Sequence, residues 1–515
     1  MRILLITPRN PKSFWTFHDS LPIIDKRCLL PNLSMPTVAG MTPAEHDIVL
    51  VDENVEEIDF DAEADIVGVT GYIVHRQRMR EIAREFRRRG RYVVIGGPYA
   101  SLCPEELRAD CDSLFVGEAE ETWPVFLQDF AAGKPGPEYS AADKPDMTKS
   151  PKPRFDLMKV DSYQTMTIQF GRGCPFRCEF CDIIVVYGRR PRIKRVEQLM
   201  EEVQDLHRLG ARQIFIADDN FIGNKPTAKA LLRELAVWGR ANGYPITFGT
   251  ELSVNVAQDD ELLALLRDAN MTTVFLGIES PRAASLQETK KTQNVRGDLV
   301  EQVHKIQSYG LQVQAGMIVG FDSDDAAIFD EQLAFVSEAR IPLVMMGMLQ
   351  ALPRTPLYER VRAEGRLIPE STAQSHTLGL SNIEPVGMTR VELFRGYRRL
   401  IRDLYSLENF GNRARAFMAH RGDQVERATY FSVSDFKVLA RFFFDTLFRQ
   451  PRDKASFTIG LIAETIWRRP KAFREACSFI LSQRSLGAFA DELGAQLDEA
   501  IEELEKMEKE ASNAA

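Results

Sequence analysis

Cysteine is scarce in this chain, with seven among 515 residues, too few to staple so long a polypeptide with disulfides. No stretch reaches the roughly 18 uncharged apolar residues that a spanning helix requires; the longest, Ile341 to Pro353, is broken by glycine, glutamine and proline. Positive charge is not in excess, at 65 basic against 74 acidic residues, so the footprint of a nucleic-acid-binding protein is missing and no nucleic-acid partner is expected. The run Met1 to Pro8 enters a strand-like pattern without the basic, apolar and small-residue order of a secretory signal, and a cytoplasmic location is expected. What remains is the composition of folded protein, 44% hydrophobic and 27% charged.

Residues 1–133 alternate short β-branched runs with helical patterns, the rhythm of a parallel sheet covered by helices. Strands are expected at Ile3 to Thr7, Ile48 to Val51, Ile66 to Thr70, Tyr92 to Ile95 and Leu114 to Val116. Open parallel sheets bind ligands beyond the carboxyl ends of their strands, and three of these ends are rich in glycine: Thr70-Gly71-Tyr72-Ile73, Gly96-Gly97-Pro98 and Gly117-Glu118. Glycine there serves either close ligand approach or a tight turn. No G-x-G-x-x-G follows the first strand, which removes the main support for a nicotinamide site. Residues 134–162 are polar and proline-rich and read as a linker.

Three of the seven cysteines crowd together as Cys174-x3-Cys178-x2-Cys181. Chance placement would produce this on the order of once in a thousand such chains. Structural zinc wants four ligands, and no fourth cysteine or histidine is near, the next histidine being His207. Three thiolates on a four-iron cubane leave one iron open for a substrate or cofactor. Residues 163–370 continue with six strand-then-helix repeats, whose strands end near Arg172, Ala217, Glu251, Gly277, Val319 and Leu349. Six such units make a partial barrel with its chemistry at the carboxyl ends of the strands. Polar residues gather at those ends: Asp218, Asp219 and Asn220, then Glu251 and Ser253, then Glu279. A carboxylate in such a place also caps the next helix, which is the other reading of Asp218 and Asp219 taken singly.

Residues 371–485 read as helices rich in aromatics, with Phe436, Leu439, Phe443 and Leu447 on one face and Lys437 and Arg441 on another. Between residues 411 and 490 there are 14 basic and 7 acidic residues, which suits either packing on the barrel or an interfacial helix on anionic lipid. Residues 486–515 form an acidic tail whose Leu493, Leu497, Ile501 and Leu504 fall on one stripe, as in an exposed amphipathic helix.

C-x3-C-x2-C after a first barrel strand, with Phe180 before the last cysteine, resembles the radical SAM signature. That resemblance implies a 4Fe-4S cluster on Cys174, Cys178 and Cys181, its open iron chelated by S-adenosylmethionine. It places Phe180 near the adenine, Asp218, Asp219 and Asn220 at the methionyl ammonium, Glu251 and Ser253 in the same cofactor site, and Glu279 at the ribose. Gly316 and Ile318, in Gly316-Met317-Ile318-Val319-Gly320, match the G-x-I-x-G adenine motif. With the amino-terminal part included, residues 1 to about 370 resemble the cobalamin-dependent branch of these enzymes. The implied architecture is α/β: a flavodoxin-like, cobalamin-binding Rossmann domain, a partial (β/α)6 barrel and a helical carboxyl-terminal domain. Cobalamin is expected on Thr70, Gly71, Tyr72, Ile73, Gly96, Gly97, Pro98, Gly117 and Glu118. D-x-H-x-x-G is missing, Pro8-Arg9-Asn10-Pro11 standing there instead, so cobalt's lower face is expected against the loop Gly71 to His75, with His75 a surface residue.

Segments such as Asp219-Asn220-Phe221-Ile222-Gly223-Asn224 look most like hopanoid and bacteriochlorophyllide methylases. The implied function is C-methylation of an unactivated carbon in an apolar polycyclic lipid or tetrapyrrole, fed with electrons by a flavodoxin or ferredoxin, at or near a membrane surface. Two alternatives stay open: a rearrangement, ring closure or oxidation without methyl transfer, and a non-catalytic iron-sulfur sensor.

Overall fold

The computed structural model describes residues 1–368, 380–425 and 433–514. Parallel strands covered on both faces read as continuous apolar runs, and β1 (Arg2–Thr7) is buried at every residue after Arg2. It pairs in parallel with β2 (Asp47–Asp52) and β3 (Ile66–Thr70). The sheet continues through β4 (Tyr92–Gly96), β5 (Ser113–Val116) and β6 (Glu138–Ser140), in the order β2-β1-β3-β4-β5-β6. Helix α1 (Arg76–Arg88) buries Met79, Ile82, Ala83 and Phe86 against it, and the short α2 (Pro98–Leu102) follows β4. The stretch 134–162 is therefore not only a linker. Its residues 138–140 make the sixth strand, which is too short to announce itself and buries a single side chain, Tyr139.

The second sheet holds β7 (Met166–Ile168), β8 (Gln213–Ile216), β9 (Thr247–Leu252), β10 (Met271–Glu279), β11 (Gln312–Val319) and β12 (Leu343–Met348), all parallel and in sequence order. Crossover helices α3 (Val196–Arg208), α4 (Lys225–Ala241), α5 (Asp260–Asp268), α6 (Leu299–Ser308) and α7 (Ile328–Glu338) separate them. β7 and β12 are not paired with each other, so the barrel stays open on one side. The first barrel strand stops at Ile168 rather than near Arg172, because Gly171–Arg172 turns away to pair antiparallel with Arg192–Ile193.

An open edge strand needs partners for its backbone. Helices α8 (Arg390–Leu404) and α9 (Leu407–His420) supply them next to β12: the Tyr397 hydroxyl donates to the Met346 carbonyl at 2.8 Å, Tyr405 donates to Val344, and Arg413 donates to Ile341 at 2.9 Å. These helices share one hydrophobic core with the barrel, and the boundary expected at residue 370 lies outside the described residues. Helix α10 (Val433–Phe448) turns Phe442, Asp445 and Thr446 inward, whereas Phe436 and Leu447, expected on its packed face, are exposed. It is followed by α11 (Arg452–Arg468) and α12 (Phe473–Ala514). Helix α12 runs unbroken through the boundary expected at 485. The tail is also not an exposed helix: Leu493, Leu497 and Ile501 are buried, and Arg398 of α8 holds Asp498 at 2.5 Å.

Candidate active site

The loop after β7 is built around backbone constraints. Gly173 has φ +93°, and a Cβ there would lie 2.9 Å from the carbonyls of Gly188 and Arg190, so only glycine fits. The amide of Phe170 donates to Asp218 at 2.7 Å and that of Gly173 to Asp219 at 2.6 Å. Both aspartates thus hold the loop that carries the cysteines and do not cap the helix that follows, whose N-cap is Asn224. Cys174 and Cys181 are partly buried, Cys178 is buried, and none is in a disulfide. Burial raises the thiols of Cys174 and Cys181 above the ordinary range, so a positive centre is needed to keep them as thiolates. Among the described residues no three acidic, cysteine or histidine side chains converge as a single metal ion needs; a cubane draws its thiolates from farther apart. Gln293, which no sequence pattern marked, aims Nε2 at Cys178 Sγ at 3.7 Å, and its buried Oε1 has no partner among the described residues. The loop is anchored from outside by Glu179, which binds Lys290 at 2.6 Å and Arg360 at 3.2 Å.

At the neighbouring strand ends the residues expected to hold S-adenosylmethionine do come together, with different duties. Asn220 and Ser253 lie 3.3 Å apart, and the Ser253 hydroxyl donates to Asn255 at 2.7 Å. Glu251 makes no hydrogen bond among the described residues; burial, with Asp219 and Asp218 close by, pushes its carboxyl up to about 8. Burial likewise lifts Asp218 to about 7 and Asp219 to about 6. A pocket of crowded carboxylates is the donor set that an ammonium group would settle. Glu279, expected to face a ribose, is at φ +69° beside a break in the β10–β11 register, and its side chain is ion-paired with Lys291. Lys291, also unmarked in the sequence, holds its ammonium 5.7 Å from the Phe180 ring centre. Phe180 and Ile318 pack on the same small core as Phe321, and a Cβ on Gly316 would stand 2.9 Å from the Phe275 ring.

Across the gap lie the strand ends of the first sheet. Gly97 has φ +95°, and a Cβ there would overlap the Thr70 hydroxyl and come within 3.3 Å of Gly71; the fold itself requires this glycine. Gly96 has Phe115 at 3.3 Å from the same hypothetical atom, and Pro98 opens α2. Gly117 differs: φ is +91°, yet nothing lies within 4 Å of a Cβ, so its backbone borders open space. The buried Thr70 hydroxyl has no partner among the described residues. Ile73 is half-buried, while the Tyr72 ring is exposed on this cradle. Open backbone, an orphan hydroxyl and a projecting aromatic fit a large ligand such as cobalamin. The buried Glu118 carboxylate joins the domains through Arg172 at 2.6 Å and Arg192 at 2.7 Å. One expectation is corrected. His75 is not a surface residue: it is buried, accepts the Tyr72 amide at Nδ1 (3.0 Å) and meets Asn10 through Nε2 at 2.8 Å, which leaves neither nitrogen for cobalt.

Below Glu251 a cavity of about 2650 Å³ runs down the open barrel, well above the roughly 300–1,000 Å³ of ordinary ligand pockets. Inward residues Phe215, Gly249, Phe275 and Met345 line it, and the open side is closed by Trp15 and Leu29 from the loop after β1 and by Phe442. The Trp15 and Phe275 rings lie 5.2 Å apart.

This pairing of a cysteine-bearing partial barrel with a glycine-edged Rossmann sheet defines a radical enzyme with a second large cofactor. Residues 168–336 match the family model described as the Radical SAM superfamily, residues 28–127 the B12 binding domain, and residues 355–499 a domain of unknown function. An uncharacterized methyltransferase of Synechocystis sp. is 44% identical over 390 residues, 75% of this chain and 73% of its own. The hopanoid C-2 methylase of Rhodopseudomonas palustris is 36% identical over 383 residues, 73% of this chain and 72% of its own. The bacteriochlorophyllide d C-8(2)-methyltransferase of Chlorobaculum tepidum is 28% identical over 425 residues, 77% of this chain and 93% of its own. Among solved structures, the cobalamin-dependent S-adenosylmethionine radical enzyme OxsB has a TM-score of 0.62 at 14% identity over 97% of this chain and 81% of its own. The methyltransferase TsrM from Kitasatospora setae has 0.60 at 15% over 94% and 99%; at such identities the likeness is one of fold. The chain belongs to the cobalamin-dependent radical SAM methyltransferases. It is an enzyme of C-methylation, and the cofactors of its class are S-adenosylmethionine, a 4Fe-4S cluster and cobalamin.

Proposed function

We propose that this enzyme methylates an unactivated carbon of a largely apolar polycyclic molecule, of the lipid or tetrapyrrole kind, held in the cavity beneath Glu251. The cavity carries this reading: its volume and its wall of Trp15, Phe215, Phe275 and Met345 suit a large apolar body, and it reaches the strand ends where the cofactor residues gather. The relatives named as hopanoid and bacteriochlorophyllide methylases act on molecules of that description. Cys174, Cys178 and Cys181 hold the cluster, and Asp219, Asn220, Glu251 and Phe180 surround S-adenosylmethionine. Gly96, Gly117 and Tyr72 line the face for cobalamin. Bound there, these groups supply a hydrogen-abstracting radical and a transferable methyl group. The protein's own part is to exclude water with the Trp15 loop, to keep Glu251 facing a cation, and to fix the two domains through Glu118 and its arginines. Electrons come from a flavodoxin or ferredoxin, and the substrate is met at a membrane surface.

Anaerobic incubation of the reconstituted enzyme with S-adenosylmethionine, methylcobalamin, reductant and a lipid or tetrapyrrole extract tests this reading. The expected product gains CH2, with S-adenosylhomocysteine released in step. Cleavage of S-adenosylmethionine without S-adenosylhomocysteine would instead indicate the ring-closing or oxidative alternative.

A further inference from the structure

We infer that the helical hairpin α10–α11 is the surface by which this enzyme rests on an anionic lipid bilayer, and that the cavity is filled from that side, opposite the cofactors. The inference rests on the apolar-substrate reading and adds where the substrate enters.

The cavity does not end inside the barrel. Gln213, Thr247, Gln312 and Leu343, all at the amino ends of barrel strands, line its lower part, whereas Glu251 stands near the carboxyl end of β9. Its lower rim is made by Lys437, Val438, Leu439 and Arg441 of α10, Ile466 of α11 and Lys471. A solute arriving there need not pass either cofactor.

The outer sides of the same two helices are apolar at helical spacing. On α10 the exposed stripe is Ala440, Phe444, Leu447 and Phe448; on α11 it is Ile459, Ala463, Ile466 and Trp467. Phe448 is 73% and Trp467 81% exposed, an unusual state for large rings in water. Aromatic rings of this kind settle at the boundary of headgroups and acyl chains.

Charge selects lipid as the occupant. Between Arg449 and Arg474 there are seven basic and two acidic residues. They gather at the ends of α11, beside the apolar stripe: Arg449 lies 5.8 Å from the Phe444 ring centre and Arg468 5.8 Å from that of Trp467. A stripe of exposed rings edged by arginine matches an anionic bilayer, apolar below and negative at its surface. No helix among the described residues is long and apolar enough to cross a membrane, so the contact is peripheral.

The test uses the full chain with vesicles of phosphatidylglycerol and phosphatidylcholine, and with phosphatidylcholine alone. The protein should float with the anionic vesicles at low salt and lose most of that binding on neutral ones. Brominated lipid should quench part of the fluorescence of its four tryptophans, and Trp467→Phe should remove that part. Phe444→Ser with Phe448→Ser and Trp467→Ser should reduce partitioning at least tenfold, as should Arg449→Glu with Arg468→Glu. Reductive cleavage of S-adenosylmethionine and the melting temperature should stay unchanged in both variants. Failure of the parent chain to float, unaltered flotation of the variants, or a dimer by light scattering that shields Trp467 would each overturn the inference. Methyl transfer to detergent-dispersed substrate without flotation removes this inference alone. Flotation without any transfer to an apolar substrate removes the substrate reading instead.

Discussion

Removing the charge at Glu251 should change how the protein responds to pH. Burial raises its carboxyl from 4.5 to about 8, so over that interval the native state keeps a proton that the unfolded chain has lost. Its stabilising contribution is complete below pH 4.5 and disappears as pH rises through 8. Glu251→Gln should therefore melt with the parent protein in acid and later than it above pH 8, by about 1–2 kcal/mol once cavity water is allowed for. Thermal melts of the cofactor-free protein across that range check the sign. With S-adenosylmethionine bound the order should reverse, because glutamine offers the ammonium no charge; roughly tenfold weaker binding is expected. At the cluster, alanine at Cys174, Cys178 or Cys181 should abolish iron loading, as iron and sulfide analysis would show. Gln293→Leu should keep the iron but lower the cluster's reduction potential, since an amide that points at Cys178 Sγ favours the more negative reduced state.

At the scale of elements, the two glycine-edged turns should respond differently to a side chain. Gly97→Ala should damage the fold, for its Cβ would overlap Thr70 between β3 and β4. Gly117→Ala meets no neighbour and carries only the φ penalty of about 1–2 kcal/mol, while cobalamin uptake, read by absorbance, should fall sharply. Glu118→Ala should cost about 1–3 kcal/mol, because Arg172 keeps Glu120 at 2.7 Å while Arg192 is left with carbonyl partners only. Much of this architecture was legible beforehand: β1 to β5, the six barrel strands and the cysteine loop all announce themselves through local runs or spacing. What was hidden depends on distant residues. That Glu118 bridges the domains was hidden because Arg172 lies 54 positions away. Lys291 and Gln293 belong to a loop with no pattern of its own, and β6 is three residues long. The stripe Leu493, Leu497 and Ile501 signalled an amphipathic helix correctly, but nothing in it named α8 as its partner.

For the whole molecule, that same stripe makes the far end of α12 part of the barrel's support. Leu497→Ala should destabilise the protein by about 2–5 kcal/mol, in keeping with loss of a fully buried leucine, and denaturant unfolding should show one shared transition because helices and barrel use one core. The loop after β1 binds the same helix: Ser20 donates to the Leu481 carbonyl at 2.5 Å and meets Ser485, Phe14 packs edge-on to Phe489 at 4.6 Å, and Lys12 pairs with Glu492. Ser20 and Ser485 stand 465 positions apart. A ribosome making roughly 5–20 residues per second thus completes the cysteine loop long before the clasp that shuts the barrel's open side exists. For that interval the barrel's open side lacks the contacts of Lys12, Phe14 and Ser20 with α12 that hold it shut.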